Sequence, residues 1–222
     1  EEEAEEDDDD YEVSYTPDPN GKGLIRSRVN VAQTTAKIVA LRAVAGYADA
    51  QRVHFLPFIE AAVNTTLPIL QFRFHPAVRA SACHVLSSCY RQVVHAASAE
   101  GGALVDRAQV SQLLSAVAKP CGEAVFVEEE PEAAEAMLEF FQLVVRLERV
   151  HGLRLLAEEH PGLVDGIVQQ LRQQLFSYRV HMEETDAADG DDDGDDGESD
   201  PIWWNLLVTI NATIHELLRL CG

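Results

Sequence analysis

The stretch PAVRASACHVLSSCYRQVVHA, residues 76–96, determines how the rest of the chain is interpreted. Its apolar residues recur every three or four positions, which is the period of an amphipathic α-helix with one buried face. Pro76 suits the first helical position, because that position needs no backbone N–H donor. The buried stripe consists of Val78, Ala82, Val85, Leu86, Cys89, Val93 and Ala96. The segment therefore predicts a long helix that packs against other helices.

The same helical period continues on both sides of this stretch, from Arg28 almost to the end of the chain. Four prolines stand where such a pattern begins: Pro76, Pro131, Pro161 and Pro201. Pro68 lies inside the second helix, where we expect a kink, and the fourth helix is expected to stop near Pro120 and Gly122. No stretch after residue 28 alternates as a β-strand does. The pattern predicts seven antiparallel helices with mostly short connections.

Two all-α arrangements satisfy this pattern, a closed bundle and an open stack of helix pairs. The helices pair as one with two, three with four and five with six, and a seventh stands alone. Each pair occupies about 40–55 residues, near the repeat length of HEAT and armadillo proteins. We therefore predict an all-α fold, a right-handed α-solenoid of antiparallel helix pairs with about three and a half HEAT- or armadillo-like repeats.

The predicted organisation has four parts. Residues 1–27 form an acidic run and an irregular loop with a short extended piece near Tyr11, and 28–182 hold three helix pairs. Residues 183–200 form an acidic disordered loop, and 201–222 form the first helix of a further repeat. The chain starts within an acidic run and ends directly after an apolar periodic segment, so we expect a piece of a longer protein.

The charge is concentrated in two runs. The chain has 17 basic and 38 acidic side chains, a formal net charge of −21. Residues 1–12 hold ten acids and 183–200 hold eleven, so the remaining body has 17 of each sign. Nucleic acid is not an expected partner, because phosphate binding needs a basic stripe, whereas basic proteins are electrostatically complementary. No apolar stretch approaches the roughly 20 residues that span a bilayer, so no membrane insertion is expected.

The sequence carries no enzyme signature. It contains no zinc-protease H-E-x-x-H, nucleophile elbow, P-loop or dinucleotide fingerprint, so we expect no catalysis, cofactor or metal. Residues 189–200 place acids at several EF-hand positions, but Asp200 replaces the bidentate glutamate and Asp196 replaces an apolar residue. We interpret this match as chance. The spacing of Cys83, Cys89, Cys121 and Cys221 gives no paired framework, which indicates a reducing, intracellular compartment.

Residues 75–82, HPAVRASA, resemble the first helix of a HEAT repeat, in which Val-Arg is followed by a small residue. The stretch LPILQFRFH at 67–75, running into Val78-Arg79, is similar to the importin beta-3 type of the karyopherin-β (importin-β) superfamily. The acidic string before Tyr11-Glu12-Val13 and the glutamine-rich helix at 169–175 fit the same family. The resemblance covers nearly the whole chain, but only a late-central slice of a full receptor.

This resemblance implies a nuclear transport receptor that binds basic cargo proteins with nuclear localisation segments and shuttles between cytoplasm and nucleus. It implies Ran-GTP and phenylalanine-glycine nucleoporins as partners of the full-length receptor, with cargo on the face built from second helices. It also implies that Arg79 reaches the adjacent repeat. Two other functions remain open: a HEAT-repeat scaffold without a transport role, and an acidic chaperone for basic proteins.

Candidate cargo-binding residues are polar positions of the second helices that lie off the apolar stripes: Glu60, Asn64, Gln71, Gln170 and Gln174. In the second acidic run, Asp191, Asp192 and Asp193 could attract or screen basic cargo through charge steering. The chain has two tryptophans, of which Trp203 is expected to pack in the core. Trp204 is expected to be partly exposed, as a groove anchor or a cargo contact.

Overall fold

The computed structural model describes residues 11–17, 24–98, 104–188 and 201–221. In chain order the elements are β1 (Tyr11–Pro17), β2 (Leu24–Asn30), α1 (Val31–Gln51), α2 (Ile59–Thr66), α3 (Pro76–Ala97), α4 (Arg107–Val127), α5 (Pro131–His151), α6 (Leu155–Glu159), α7 (Pro161–Ala188) and α8 (Pro201–Cys221). The 3₁₀ segments Arg52–Phe58 and Leu67–Gln71 flank α2. Helices begin at the four prolines where the sequence predicted helix starts: Pro76, Pro131, Pro161 and Pro201.

The described helices form an open stack of two layers. In the first layer α3 packs between α1 and α5, and α5 packs in turn against α8. In the second layer α4 lies between the 3₁₀ segment Leu67–Gln71 on one side and α7 on the other. We call these the first-helix layer and the second-helix layer. The prediction of stacked helix pairs is confirmed, and the closed bundle is not the arrangement of these helices.

An antiparallel hairpin precedes the stack. The extended piece expected near Tyr11 is strand β1, whereas the second strand, β2, lies where an irregular loop was expected. Strands β1 and β2 pair in register, from Tyr11 opposite Asn30 to Pro17 opposite Leu24. Helix α1 consequently begins at Val31 and not at Arg28. The reason lies at Asn30, which has extended backbone angles and accepts a 2.8 Å hydrogen bond from the Gln33 N–H. Such an N-cap fixes the start of a helix.

The second helix is interrupted by 3₁₀ geometry on both sides. Its α-helical part ends at Thr66, and the 3₁₀ segment begins one residue before Pro68. The kink expected at Pro68 therefore takes the form of a change of helix type. Before α2, Arg52 has a φ of 51°, and Pro57 lies inside the preceding 3₁₀ segment. A positive φ is uncommon outside glycine, and here it reverses the chain after α1.

The fourth helix does not stop near Pro120 and Gly122, and this prediction was wrong. Helix α4 continues through Pro120 to Val127. Proline removes the backbone bond to the carbonyl of Ala116, which lies at an exposed position. Beyond the proline the apolar stripe goes on, because Cys121 and Val125 are buried. Burial of that stripe outweighs the loss of one helical hydrogen bond.

A buried arginine side chain joins neighbouring helix pairs. The Arg79 guanidinium donates to both carboxylate oxygens of Glu128 at 2.6 Å, and to the Phe72 carbonyl at 2.7 Å. Glu128 follows α4, in the same helix pair as Arg79, whereas Phe72 follows the second helix of the preceding pair. Arg79 therefore connects its own pair to the one before it, which is the reach that the resemblance implied.

The short helix α6 was not predicted and depends on a buried acid. The Glu148 side chain accepts a 2.8 Å hydrogen bond from the Leu156 N–H, and its second oxygen has no partner within the described residues. Leu155 and Leu156 are fully buried beneath it. Burial raises the pKa of Glu148 to about 7, although the bond from Leu156 opposes this. The carboxyl thus lies at the α5–α6 turn with a strongly shifted proton affinity.

Within the described residues, the stretch Val31–Gln71 is long and apolar enough, by length and composition, to cross a membrane. This differs from the expectation that no apolar stretch reaches that length. Only 28% of its most apolar window is buried, although α1 and α2 both pack against α3. A helix inside a helical stack satisfies the same criteria, and here the stretch is broken by 3₁₀ geometry. Its exposed apolar side chains lie at the first end of the stack.

Candidate functional site

The second-helix layer carries the predicted polar residues of the second helices, but it does not bring them together. Glu60 and Asn64 are exposed on α2, and Gln71 is exposed at the end of the following 3₁₀ segment. Gln170 and Gln174 lie on α7 and are partly buried. Because α4 lies between these elements, the candidates form two separate groups on one layer.

A groove of about 450 Å³ runs between α4 and α7. We call it the α4–α7 groove. Its polar lining comes from Lys119 and Glu123 on α4 and from Gln169, Gln170 and Gln173 on α7. Its apolar lining is Phe126, Leu163 and Ile167, with Gly122, Gly162 and Gly166 between them. Of the predicted site residues, Gln170 is the one in this groove.

The two predicted glutamines of α7 have different roles. The Gln174 amide donates a 2.7 Å hydrogen bond to the Val125 carbonyl near the end of α4. Gln174 therefore ties α7 to α4 and is engaged within the chain. The side-chain oxygen of Gln170 is buried and has no hydrogen-bond partner among the described residues. An unsatisfied buried acceptor is costly, and Gln170 differs from Gln174 in having its acceptor oxygen unpaired among the described residues.

The groove has one positively and one negatively charged side chain in its lining, and both are exposed to solvent. Lys119 and Glu123 approach each other at 3.8 Å across one turn of α4, with side chains 73% and 65% exposed. An exposed pair of this kind contributes little to stability, so either partner can be recruited by a charged ligand. The groove consequently offers one carboxylate, one ammonium and three amides around an apolar floor.

Trp204 lies on a different element from the other candidates. It is 60% exposed on α8, in the first-helix layer, and Val208 one turn further along is 54% exposed. The expected exposure of Trp204 is observed, at a site separate from the α4–α7 groove. The side chain of Trp203 lies outside the described residues, as do Asp191, Asp192 and Asp193.

The EF-hand-like pattern of residues 189–200 also lies outside the described residues. In the ranges that the structure does describe, no group of three His, Cys, Asp or Glu side chains could hold a metal ion. The polar cluster around Asp49 has a structural role. Asp49 accepts hydrogen bonds from Ser88, Arg91 and Gln92 at 2.9–3.1 Å and ties α1 to α3.

A second groove, of about 550 Å³, lies between α1 and the segment 52–71. Its lining is almost wholly apolar and includes Leu41, Val44, Tyr47, Phe55, Phe58 and Ile69. Tyr47 and Phe58 are 59% and 57% exposed there. We call this the α1–α2 groove. It differs from the α4–α7 groove in having no amide and a single charged side chain, Lys37, in its lining.

Sequence reasoning missed the glycines and the charged pair of the α4–α7 groove. Gly162 and Gly166 stand one helical turn apart, which places them on one face of α7 together with Gln169 and Gln173. Glycine inside an otherwise helical pattern costs stability, and that signal was available in the sequence at Gly166. Lys119 and Glu123 could not be assigned to the site, because the helix was expected to end between them.

Neither the protein-family models nor the curated proteins gave a match to this chain. Among solved structures, the chain is similar to the crystal structure of Kap121p bound to Nup53p, with a TM-score of 0.73 and 17% identity. The match covers 99% of this chain and 19% of that one, so the chain spans about a fifth of Kap121p. At this identity the likeness shows the fold: this chain has the helical-solenoid fold of a segment of Kap121p.

Proposed function

We propose that this chain is a segment of a karyopherin-β-type nuclear transport receptor. The observation that carries the proposal is the fold shared with Kap121p along 99% of the chain. The sequence resemblance to the importin beta-3 type supports the same family independently of the coordinates. In the matched structure Kap121p is bound to Nup53p, so the activity that the likeness favours is the binding of a protein partner.

The proposed ligands are basic cargo proteins with nuclear localisation segments, captured on the second-helix layer. The body of the chain is neutral, and its excess negative charge lies in residues 1–12 and 183–200. Acidic runs of this kind raise the rate of association with a basic partner, and salt weakens the effect. In the full receptor, Ran-GTP releases the cargo and phenylalanine-glycine nucleoporins guide passage between cytoplasm and nucleus.

Binding of a lysine-rich peptide at increasing salt tests the capture step. We expect the affinity, measured by fluorescence anisotropy, to fall steeply between 50 and 500 mM salt. With the full-length receptor, Ran-GTP is expected to release the bound peptide. Release by salt without release by Ran-GTP contradicts the transport role and leaves a HEAT-repeat scaffold.

The acidic chaperone is the second candidate, and the two acidic runs favour it. A chaperone of this type binds through the runs alone, whereas the transport proposal also requires the second-helix layer. Deleting both acidic runs, residues 1–10 and 189–200, separates the two functions. We expect slower association but retained, measurable affinity for the lysine-rich peptide. Complete loss of binding in the deletion variant supports the chaperone.

A further inference from the structure

Two histidine side chains meet where neighbouring first helices end. His95 lies in the last turn of α3, and His151 is the last residue of α5. Their imidazole rings lie edge to face, with centroids 5.5 Å apart and planes inclined at 65°. Both rings are accessible, because His95 is exposed and His151 is half-buried. The two residues belong to different helix pairs, so no local spacing in the sequence predicts this contact.

The separation of the two rings suits one shared metal ion. Zinc binds an imidazole nitrogen at about 2.0–2.1 Å with tetrahedral geometry, which places the centroids of two coordinating rings about 5.3 Å apart. The observed 5.5 Å is close to this value, so small side-chain rotations allow both rings to bind one ion. Among the described residues, no third His, Cys, Asp or Glu joins them to make a group of three. Water therefore completes the coordination.

The surroundings keep His95 in the neutral form, which is the form of imidazole that binds metals. Partial desolvation of the ring and the positive charge of His151 lower the pKa of His95 from its ordinary value of 6.5. Arg91 and Arg52 act in the same direction, and Asp49 opposes them. The carbonyl groups at the ends of α3 and α5 carry partial negative charge, which favours a cation beside them.

The residues around the pair also determine which kind of ion fits. Asp49 neutralises the Arg91 guanidinium at 2.9 Å, whereas Arg52 adds a positive charge near His95. A hard cation such as Mg²⁺ or Ca²⁺ depends on oxygen ligands and is not favoured at two imidazoles. A late first-row ion such as Zn²⁺ gains its affinity from the bonds to imidazole nitrogen. The selectivity therefore comes from the type of ligand atom and not from net charge.

We propose that His95 and His151 form a binding site for a late first-row divalent metal ion of the Zn²⁺ type, between the ends of α3 and α5. The ion joins the first helices of two consecutive helix pairs and so holds one edge of the first-helix layer together. The site is separate from the α4–α7 groove and does not depend on cargo binding. It differs from the expectation of no metal, because that expectation rested on motifs within single segments of the sequence.

Isothermal titration of the chain with zinc chloride tests the site. Excess Mg²⁺ is present throughout, so that it occupies the carboxylates of the two acidic runs. We expect one Zn²⁺ to bind per chain, with an affinity that falls at least about tenfold in H95A and in H151A, because each variant removes one of the two ligands. The control is H215A, which removes an exposed histidine on α8 and should leave the affinity unchanged.

Thermal unfolding with and without Zn²⁺ gives a second measurement. An ion that binds the folded state raises the melting temperature. We expect this rise in the wild-type chain and in H215A, and its loss in H95A, whose substitution is at an exposed position. Equal Zn²⁺ affinities in the wild-type chain, H95A and H151A, or no saturable Zn²⁺ binding at all, overturn the proposal. Either result leaves the proposed transport function standing, since no cargo contact is involved.

Discussion

Helices with the same apolar period are packed differently in the centre of the stack and at its first end. In the centre, α3 and α5 are covered on both sides, and Tyr90, Phe140 and Phe141 are fully buried with their rings 5.4–6.3 Å apart. At the first end, Tyr47 and Phe58 remain more than half exposed around the α1–α2 groove. In a solenoid each pair is stabilised by its neighbours, so burial depends on position in the stack. Helical period alone does not distinguish the two environments.

The largest loss in the free energy of unfolding is expected when the buried Arg79–Glu128 pair is broken. Removing one partner with R79A leaves a carboxylate buried without its cation, which costs about 3–5 kcal/mol in the free energy of unfolding. The control is R91A, which breaks the partly exposed pair with Asp49 and should cost less than about 1 kcal/mol. Urea denaturation followed by circular dichroism measures both. Equal costs for the two variants would mean that burial does not set the strength of these pairs.

Truncation of a central aromatic side chain tests the same comparison with apolar groups. F140A removes a fully buried ring between Tyr90 and Phe141, and we expect a loss of about 3–5 kcal/mol in the free energy of unfolding. The matched change F58A removes a ring that is 57% exposed in the α1–α2 groove, and should cost about 1 kcal/mol. If F58A is as costly as F140A, the first end is not the loosely covered region that the structure describes.

The buried Glu148 side chain makes the free energy of unfolding depend on pH. Its folded pKa of about 7 lies above the ordinary value of 4.5, so the folded state binds the extra proton between these values. This group therefore adds stability as the pH falls from about 7 towards 4.5, and withdraws it as the pH rises through 7. E148Q should raise the free energy of unfolding at pH 8 by on the order of 1–3 kcal/mol and remove this slope. Urea titrations at pH 5 and pH 8 measure it; an unchanged slope contradicts the assignment.

The smallest effect is expected at the exposed end of the first-helix layer. W204S replaces a side chain that is 60% exposed on α8, and the free energy of unfolding should change by less than about 1 kcal/mol. The same variant should leave the affinity for the lysine-rich peptide unchanged, because Trp204 lies outside the α4–α7 groove. A weakened affinity for the peptide, measured by fluorescence anisotropy, would indicate that Trp204 belongs to the cargo-binding site.

Much of the fold could be predicted from the sequence, because a buried helical face repeats regularly and proline favours the first position of a helix. The stripe from Val78 to Ala96 and the starts at Pro131, Pro161 and Pro201 follow from these rules. The end of α4 could not be predicted from the sequence, since burial of Cys121 and Val125 beyond Pro120 depends on contacts with other helices. The cap at Asn30 and the short helix α6 likewise depend on single side chains.

The candidate site was predicted only in part. Sequence reasoning placed the polar positions of α2 and α7 on second helices, and the structure has them there. It could not tell that Gln174 is engaged with Val125 while the Gln170 oxygen is unpartnered among the described residues, because both are glutamines on the same helix. The α4–α7 groove depends on the spatial pairing of Gly166 with α4, which no local pattern contains.

Hydrogen exchange of the chain with and without the lysine-rich peptide tests the central claim most directly, that the second-helix layer of an open helical stack is the binding surface. We predict that added peptide slows exchange in α4 and α7, with α1, α5 and α8 unchanged. Slowed exchange confined to the first-helix layer, or no change in any helix while the peptide is bound, contradicts the account.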